Sequence, residues 1–428
     1  MLDFYLNRLA DLTPLNLWSR LKDSKFSKNV AETLFTKFLL LAVGMASSII
    51  VARSLGPQGR GLYALAITFG AAGVQFGNFG LQSSNTYYSA QNPGLIPSLI
   101  GNTLLVCFYV GGLGAFIGWL IFANVPGISP IHGTLLFLTF FWIPFGLAYL
   151  LLQNILLGLN HVREFNKVEL ANRVIFTILV LSLSLTPFIS PMAVFACTLF
   201  SFMACCLWMY WLLKTEINGD FHPSWNVFKN SFGYGLRVYL STLFAFLVSR
   251  IDLILIDKYV GLKETGIFSV AMTFMDLIVL TPVAIGMILF PKLSSLKTSG
   301  EKWHFTVKVT IVSTLLTYAF AFTLILFARP IIGLLYGPNF LPAADVLFWI
   351  GIGLLPYPIY NGVGQLVSSL GMSYYYVFGW LVSVFVKIVM TLVLIHKWGY
   401  QIVGLGYLGV YGVVLLFSSL ALKGYRDA

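Results

Sequence analysis

Charge is the scarcest resource in this 428-residue chain: Asp, Glu, Lys and Arg together make up 10% of it. A soluble globular domain carries about 25%. With 58% hydrophobic residues and a mean hydropathy of +0.87, the chain has too little polar surface to face water on all sides. A bilayer removes that need, because lipid accepts apolar side chains on the outside of a fold. Cysteine and histidine are also sparse. Cys107, Cys197, Cys205 and Cys206 lie within apolar runs, without metal-ligand spacing or a secreted disulfide pattern, and read as small core hydrophobes. His132, His161, His222, His304 and His396 are scattered. There is no nucleophile-and-base arrangement, no glycine-rich phosphate loop before a strand, and no stretch long enough for a separate soluble domain. These absences argue against an enzyme and against a zinc protein.

What the chain does have is long apolar segments. A spanning helix needs about 20 mostly apolar residues. Candidates lie near 34–54, 61–82, 97–122, 133–157, 168–187 and 192–213, then near 234–257, 265–290, 305–327, 342–367, 375–396 and 402–422. The fold class expected is an all-α polytopic membrane protein of about twelve transmembrane helices in two six-helix halves. The expected organisation is an N-terminal cytoplasmic or interfacial segment 1–33, a first half 34–213, a cytoplasmic linker 214–233, a second half 234–422 and a tail 423–428. The first segment reads either as an amphipathic surface helix or as a plain tail, and nothing in it has the pattern of a cleavable signal. Pro144, Pro282, Pro356 and Pro358 fall inside spans and are expected to kink or break them.

The net charge of +11 could signal nucleic acid, but the basic residues sit in short segments between apolar runs, as the positive-inside rule requires. With the N-terminus cytoplasmic, 14 Lys and Arg fall on the inside and six outside, which places both termini inside. Arg53 and Arg60 go against this bias in the first outer loop. Each is either a helix-end cation reaching the interface or a group that attracts an anionic ligand.

The two halves echo each other. Gly56–Phe69 and Gly261–Phe274 align without a gap, with identity at Gly56/Gly261, Gly61/Gly266, Ala66/Ala271, Thr68/Thr273 and Phe69/Phe274. Six helices per half gives both halves one orientation, related by a pseudo-two-fold along the membrane normal, with a substrate path between them. A weaker echo after the fourth and tenth helices sets Arg173 opposite Lys387.

Ionisable groups inside spans cost about 2.5–3.5 kcal/mol each on insertion scales, so they are functional candidates by default. They are Lys37, Arg173, Arg237, Arg250, Asp252, Asp276 and Lys387, with Glu169, Asp257 and Asp345 nearer helix ends. Lys387 is mid-helix and reads as a cleft-facing anion site or as a structural partner of Asp276 or Asp252. Asp276 and Asp252 read as ion-coupling sites or as members of salt bridges. Arg250 and Asp252, two positions apart, point to different sides of their helix and each need a partner elsewhere.

Val51-Ala52-Arg53-Ser54-Leu55-Gly56-Pro57-Gln58-Gly59-Arg60-Gly61-Leu62-Tyr63-Ala64 resembles the first-loop signature of Wzx-type polysaccharide flippases. Leu157-Gly158-Leu159-Asn160 with Arg163-Glu164-Phe165-Asn166, and Arg250-Ile251-Asp252 with Gly266-Ile267-Phe268-Ser269-Val270-Ala271, are similar to the same group. The resemblance implies the multidrug/oligosaccharidyl-lipid/polysaccharide exporter superfamily, and with it a bacterial inner-membrane flippase that moves an undecaprenyl-pyrophosphate-linked oligosaccharide by ion-coupled alternating access. It implies a lipid-linked oligosaccharide as substrate and membrane lipids, a polysaccharide polymerase and a chain-length regulator as partners. It implies no cofactor beyond a coupling Na⁺ or H⁺. A pyrophosphate needs cations, so the expected substrate-binding set is Arg53, Arg60, Arg173, Arg250 and Lys387, with Asp252 and Asp276 for coupling. The rival readings are a multidrug antiporter of the same fold and an integral membrane glycan polymerase. A major-facilitator transporter fits less well, because loop Ser83–Asn92 lacks the charged motif of that class.

Overall fold

The computed structural model describes residues 25–125, 127, 129–215, 221–296, 298–371 and 374–426. Residues 1–24, which hold most of the anticipated interfacial segment, and residues 216–220 of the anticipated linker lie outside the described residues. Everything described is helix and connection. That is the economical solution in lipid, where each unpaired backbone group costs several kcal/mol and a helix satisfies its own.

The first half runs α1 (Lys25–Asn78), α2 (Leu81–Gln91), α3 (Pro93–Asn124), α4 (Gly133–Gly158), α5 (Val162–Ser184) and α6 (Pro191–Thr215). The second runs α7 (Trp225–Tyr259), α8 (Leu262–Ser295), α9 (Ser299–Leu326), α10 (Ala328–Tyr336), α11 (Ala343–Gly353), α12 (Tyr357–Ser369), α13 (Tyr374–Trp398) and α14 (Gly406–Arg426). Nine elements among the described residues are long and apolar enough to cross a membrane, and α11 with α12 adds a tenth as one span bent by 45°. The remaining two follow from geometry. Element α1 is two spans, joined at Gly56 (φ 64°, ψ 179°), a backbone state that suits glycine and reverses the chain just before Pro57. Element α5 is 23 residues, long enough to span, but its first half carries five charged residues. Twelve spans in two sets of six result.

The structure refines several expectations. The expected first-loop break between spans one and two is a single glycine rather than a loop. The third span is interrupted by a π-helical stretch, Cys107–Leu113. Pro144 and Pro282 stay inside continuous helices, whereas Pro356 and Pro358 mark the break between α11 and α12. Helices α2 and α10 are short segments that do not span.

The broadest helix–helix contact joins α1 of one half to α8 of the other. It is closest at the repeated motif. A Cβ built on Gly61 would fall 2.0 Å from the Leu262 carbonyl oxygen, and one on Gly266 would fall 1.9 Å from that of Pro57. The paired glycines of the internal repeat are therefore the places where the two halves touch backbone to backbone. At the opposite end of the bundle, Gly80 and Gly235 make a second such contact, with built Cβ atoms 2.2 and 2.5 Å from each other's carbonyl oxygens. Small residues allow this approach, which is how membrane helices pack without a hydrophobic drive between them.

Candidate functional site

Between the halves lies a cavity of about 440 Å³, walled by α1, α4, α5 and α6 from the first half and α7 and α8 from the second. Four of the seven residues singled out from sequence line it: Arg60, Arg173, Arg250 and Asp276. Arg60 stands toward the Gly61 end. Its guanidinium donates to Ser269 Oγ and Ser48 Oγ, both at 3.2 Å, and lies 5.8 Å from the Tyr63 ring centre. Ser48 Oγ also accepts from Tyr336 at 3.2 Å. This network ties α1 to α8 and α10 beside the glycine contact. Arg173, Arg250 and Asp276, from α5, α7 and α8, line the same cavity from both sides of the interface between the halves. Toward the other end Glu169 lines the cavity, and Lys37 donates to both its carboxylate oxygens at 2.9 and 2.8 Å. With Glu169 already neutralised by Lys37, the wall presents three guanidiniums against the single carboxylate of Asp276.

The remaining wall mixes aliphatic side chains such as Leu40, Met45 and Leu277 with polar and aromatic ones, among them Trp142, Tyr149, Gln153, Asn172, Thr198 and Thr273. Among the described residues, the buried donors Gln153 Nε2 and Trp142 Nε1 have no protein acceptor. An unpaired buried donor is costly, and both side chains border the cavity, where a guest or water can accept. Sequence reading missed these residues, although a signal exists. Trp142, Tyr149 and Gln153 recur at helical spacing on α4, as do Glu169, Asn172 and Arg173 on α5. Each set is a polar or amphipathic stripe on an apolar span.

Three of the expected residues lie elsewhere. Arg53 is exposed, and its guanidinium donates to the carbonyl oxygens of Leu335, at 2.7 Å, and Leu334. Those carbonyls belong to the last turn of α10, where orphan acceptors and the helix dipole favour a cation. The structure thus gives Arg53 a partner in the end of a neighbouring helix. Lys387 does not face Arg173 across the cleft. It is wholly buried and pairs with Asp252, Nζ to Oδ2 at 2.8 Å, with both side chains at 0% exposure. The pair joins α13 to α7 within the second half and lies outside the cavity wall. The reason is the register of α13: Gly379, Ser383, Lys387 and Thr391 recur every four residues and form its buried face. The side chain of Arg237 lies outside the described residues.

Breaking a buried pair leaves the other charge uncompensated, at a typical cost of about 3–5 kcal/mol. Asp252→Asn alone is therefore expected to lower the Tm of the purified protein sharply. D252N combined with Lys387→Met should regain most of that loss. Equal melting of wild type and D252N would disprove the assignment.

The cavity and the twelve-span frame can be set beside known proteins. A multidrug resistance MATE family transporter of the MOP superfamily, in an inward-facing conformation, superposes with a TM-score of 0.74 at 15% identity, over 91% of this chain and 96% of that one. The lipid II flippase MurJ, in an inward closed conformation, gives 0.70 at 16% identity, over 91% and 87%. At these identities the likeness is one of fold. In sequence, the uncharacterized membrane protein MJ1068 of Methanocaldococcus jannaschii is 24% identical over 200 residues, which are 44% of this chain and 38% of that protein's length. Fold and spans together define a multi-pass membrane protein with the same fold as these two proteins. The family profile described as polysaccharide biosynthesis protein matches residues 50–345, and the chain belongs to that family.

Proposed function

We propose that this protein is a flippase that carries a lipid-linked oligosaccharide across a bacterial inner membrane by alternating access, with both termini cytoplasmic, and that it is a transporter rather than an enzyme. The observation that carries the reading is the arginine-rich cavity between the two halves. Arg60, Arg173 and Arg250 come from three different spans and supply the positive charge that a pyrophosphate needs in order to leave water. The polar and aromatic wall suits the glycan, with hydroxyl and amide partners and ring faces, while a polyprenyl tail stays in lipid. Membership of a polysaccharide biosynthesis family supports the substrate class, and the fold it shares with MurJ supports the mode of action. A multidrug antiporter that takes up cations would have to place them against the three guanidiniums, which disfavours that alternative.

In this reading Asp276 is the coupling group. It is the cavity carboxylate not already held by a lysine, and a Na⁺ or H⁺ at that site would loosen its hold on Arg173 and Arg250 and free them for the anion. Asp252 is bound to Lys387 and has no such freedom.

The test is transport by the purified protein in proteoliposomes, using a fluorescent pyrophosphate-linked polyprenyl oligosaccharide, together with surface glycan display in a host lacking its own flippase. Protein-dependent flipping and restored display are expected. Export of cationic drugs with no movement of the lipid-linked glycan in any background would replace this reading with the antiporter one.

A further inference from the structure

The Asp252–Lys387 pair takes no part in the cavity, yet its surroundings are those of a cation site. Asp252 Oδ1 accepts from Thr391 Oγ1 at 2.8 Å, and Oδ2 holds the ammonium at 2.8 Å. The ammonium lies 3.6 Å from the centre of the Tyr407 ring, whose face attracts cations. Gly406 closes the site: a Cβ there would stand 3.1 Å from Lys387 Nζ. A carboxylate, a hydroxyl and an aromatic face from α7, α13 and α14 thus surround one positive charge at 0% exposure.

We propose that Lys387 is a tethered cation that permanently fills a monovalent-cation site at Asp252, so that the second half carries its counter-charge covalently and needs no dissociable ion there. All of the groups belong to one half, so rocking of the halves against each other leaves the pair intact. A long, unbranched side chain carries its charge to a site at 0% exposure. Removing the side chain beyond Cβ leaves a buried carboxylate and a void the width of an alkyl chain. A small cation or a primary alkylammonium is the ligand class that matches this vacancy. The inference goes beyond the transport reading, and its readout requires no transport, so either can fail without the other.

The experiment is thermal unfolding of the purified full chain in lipid nanodiscs, at fixed ionic strength, in choline, sodium, potassium or n-propylammonium chloride. Wild type should melt at one temperature in all four. Lys387→Ala should melt lower in choline and recover by at least about 3 °C, saturably, in one of the small cations. Asp252→Asn with Lys387→Ala should lose that response. A Lys387→Ala protein that no cation restores, or that choline restores equally, would reduce the pair to a packing contact and overturn the proposal. If Lys387→Ala does not accumulate, radioactive Na⁺ binding to wild type and to Asp252→Asn decides the matter. Equal binding upholds the tethered cation, and Asp252-dependent binding overturns it.

Discussion

Gly266→Leu is expected to abolish transport while leaving the protein in the membrane. A Cβ at this position would stand 1.9 Å from the Pro57 carbonyl oxygen and 2.9 Å from the Gly61 nitrogen, and both are backbone atoms that cannot rotate aside. The leucine side chain therefore acts as a wedge that holds the two halves apart at this end. Gly61→Leu should do the same from the other side, against the Leu262 carbonyl oxygen at 2.0 Å. Alternating access needs each end to close in turn, so a wedge at one end stops the cycle. A drop in glycan display of at least about tenfold is expected, or 1.4 kcal/mol when read as a free energy. Reactivity of a cysteine at Arg60 toward an impermeant maleimide should rise in the wedged protein, because Ser48 and Ser269 are pulled off it. Gly412→Ala is the matched control, since nothing lies within 4 Å of its built Cβ. Wild-type flipping by Gly266→Leu would show that this contact never has to close.

The second large effect concerns the cavity charge. Arg173→Gln and Arg250→Gln each remove a guanidinium from the cleft that Asp276 also lines. A hydrogen bond to a charged group is worth about 1.5–3 kcal/mol, so each change should slow flipping of a pyrophosphate-linked lipid roughly 10- to 150-fold. Both changes together leave Asp276 without its cationic neighbours, a cost to stability that is separate from any loss of binding. Adding Asp276→Asn separates the two. The triple variant should recover its melting temperature and remain unable to flip the charged substrate. Flipping of an uncharged polyprenyl glycoside should suffer far less in all of these variants. If the charged and uncharged substrates lose rate equally, the arginines hold the fold and not the pyrophosphate.

The contrast between Lys387 and Arg173 shows how far sequence alone reaches. Both are cations within apolar spans, and the internal repeat aligns them. Cost in lipid marks both as meaningful, but not which way either points. Four-residue spacing from Gly379 through Ser383 to Thr391 places Lys387 on one stripe of α13, and only packing against α7 and α14 turns that stripe inward to Asp252. The stripe of Glu169, Asn172 and Arg173 on α5 was equally legible, and there the tertiary structure provides a cavity instead of a partner. Asp252 and Asp276 divide in the same manner, one held by a lysine and one open to the cleft. Arg53 and Arg60, seven residues apart in one motif, separate because the chain reverses at Gly56 between them.

The sequence by itself determined the solvent and the frame. Too little charge for water, segments long enough to span, basic residues gathered mostly in short connections and a motif repeated in each half follow from composition and periodicity, which are local properties. Only the tertiary structure decided which charges meet. An intramembrane ion finds its partner through helix rotation and the closeness of approach that glycines permit, and neither is written in a single span. That is why the repeated glycines became the contact between the halves, the arginines of three spans converged on one cavity, and the lysine expected among them lies sealed against Asp252.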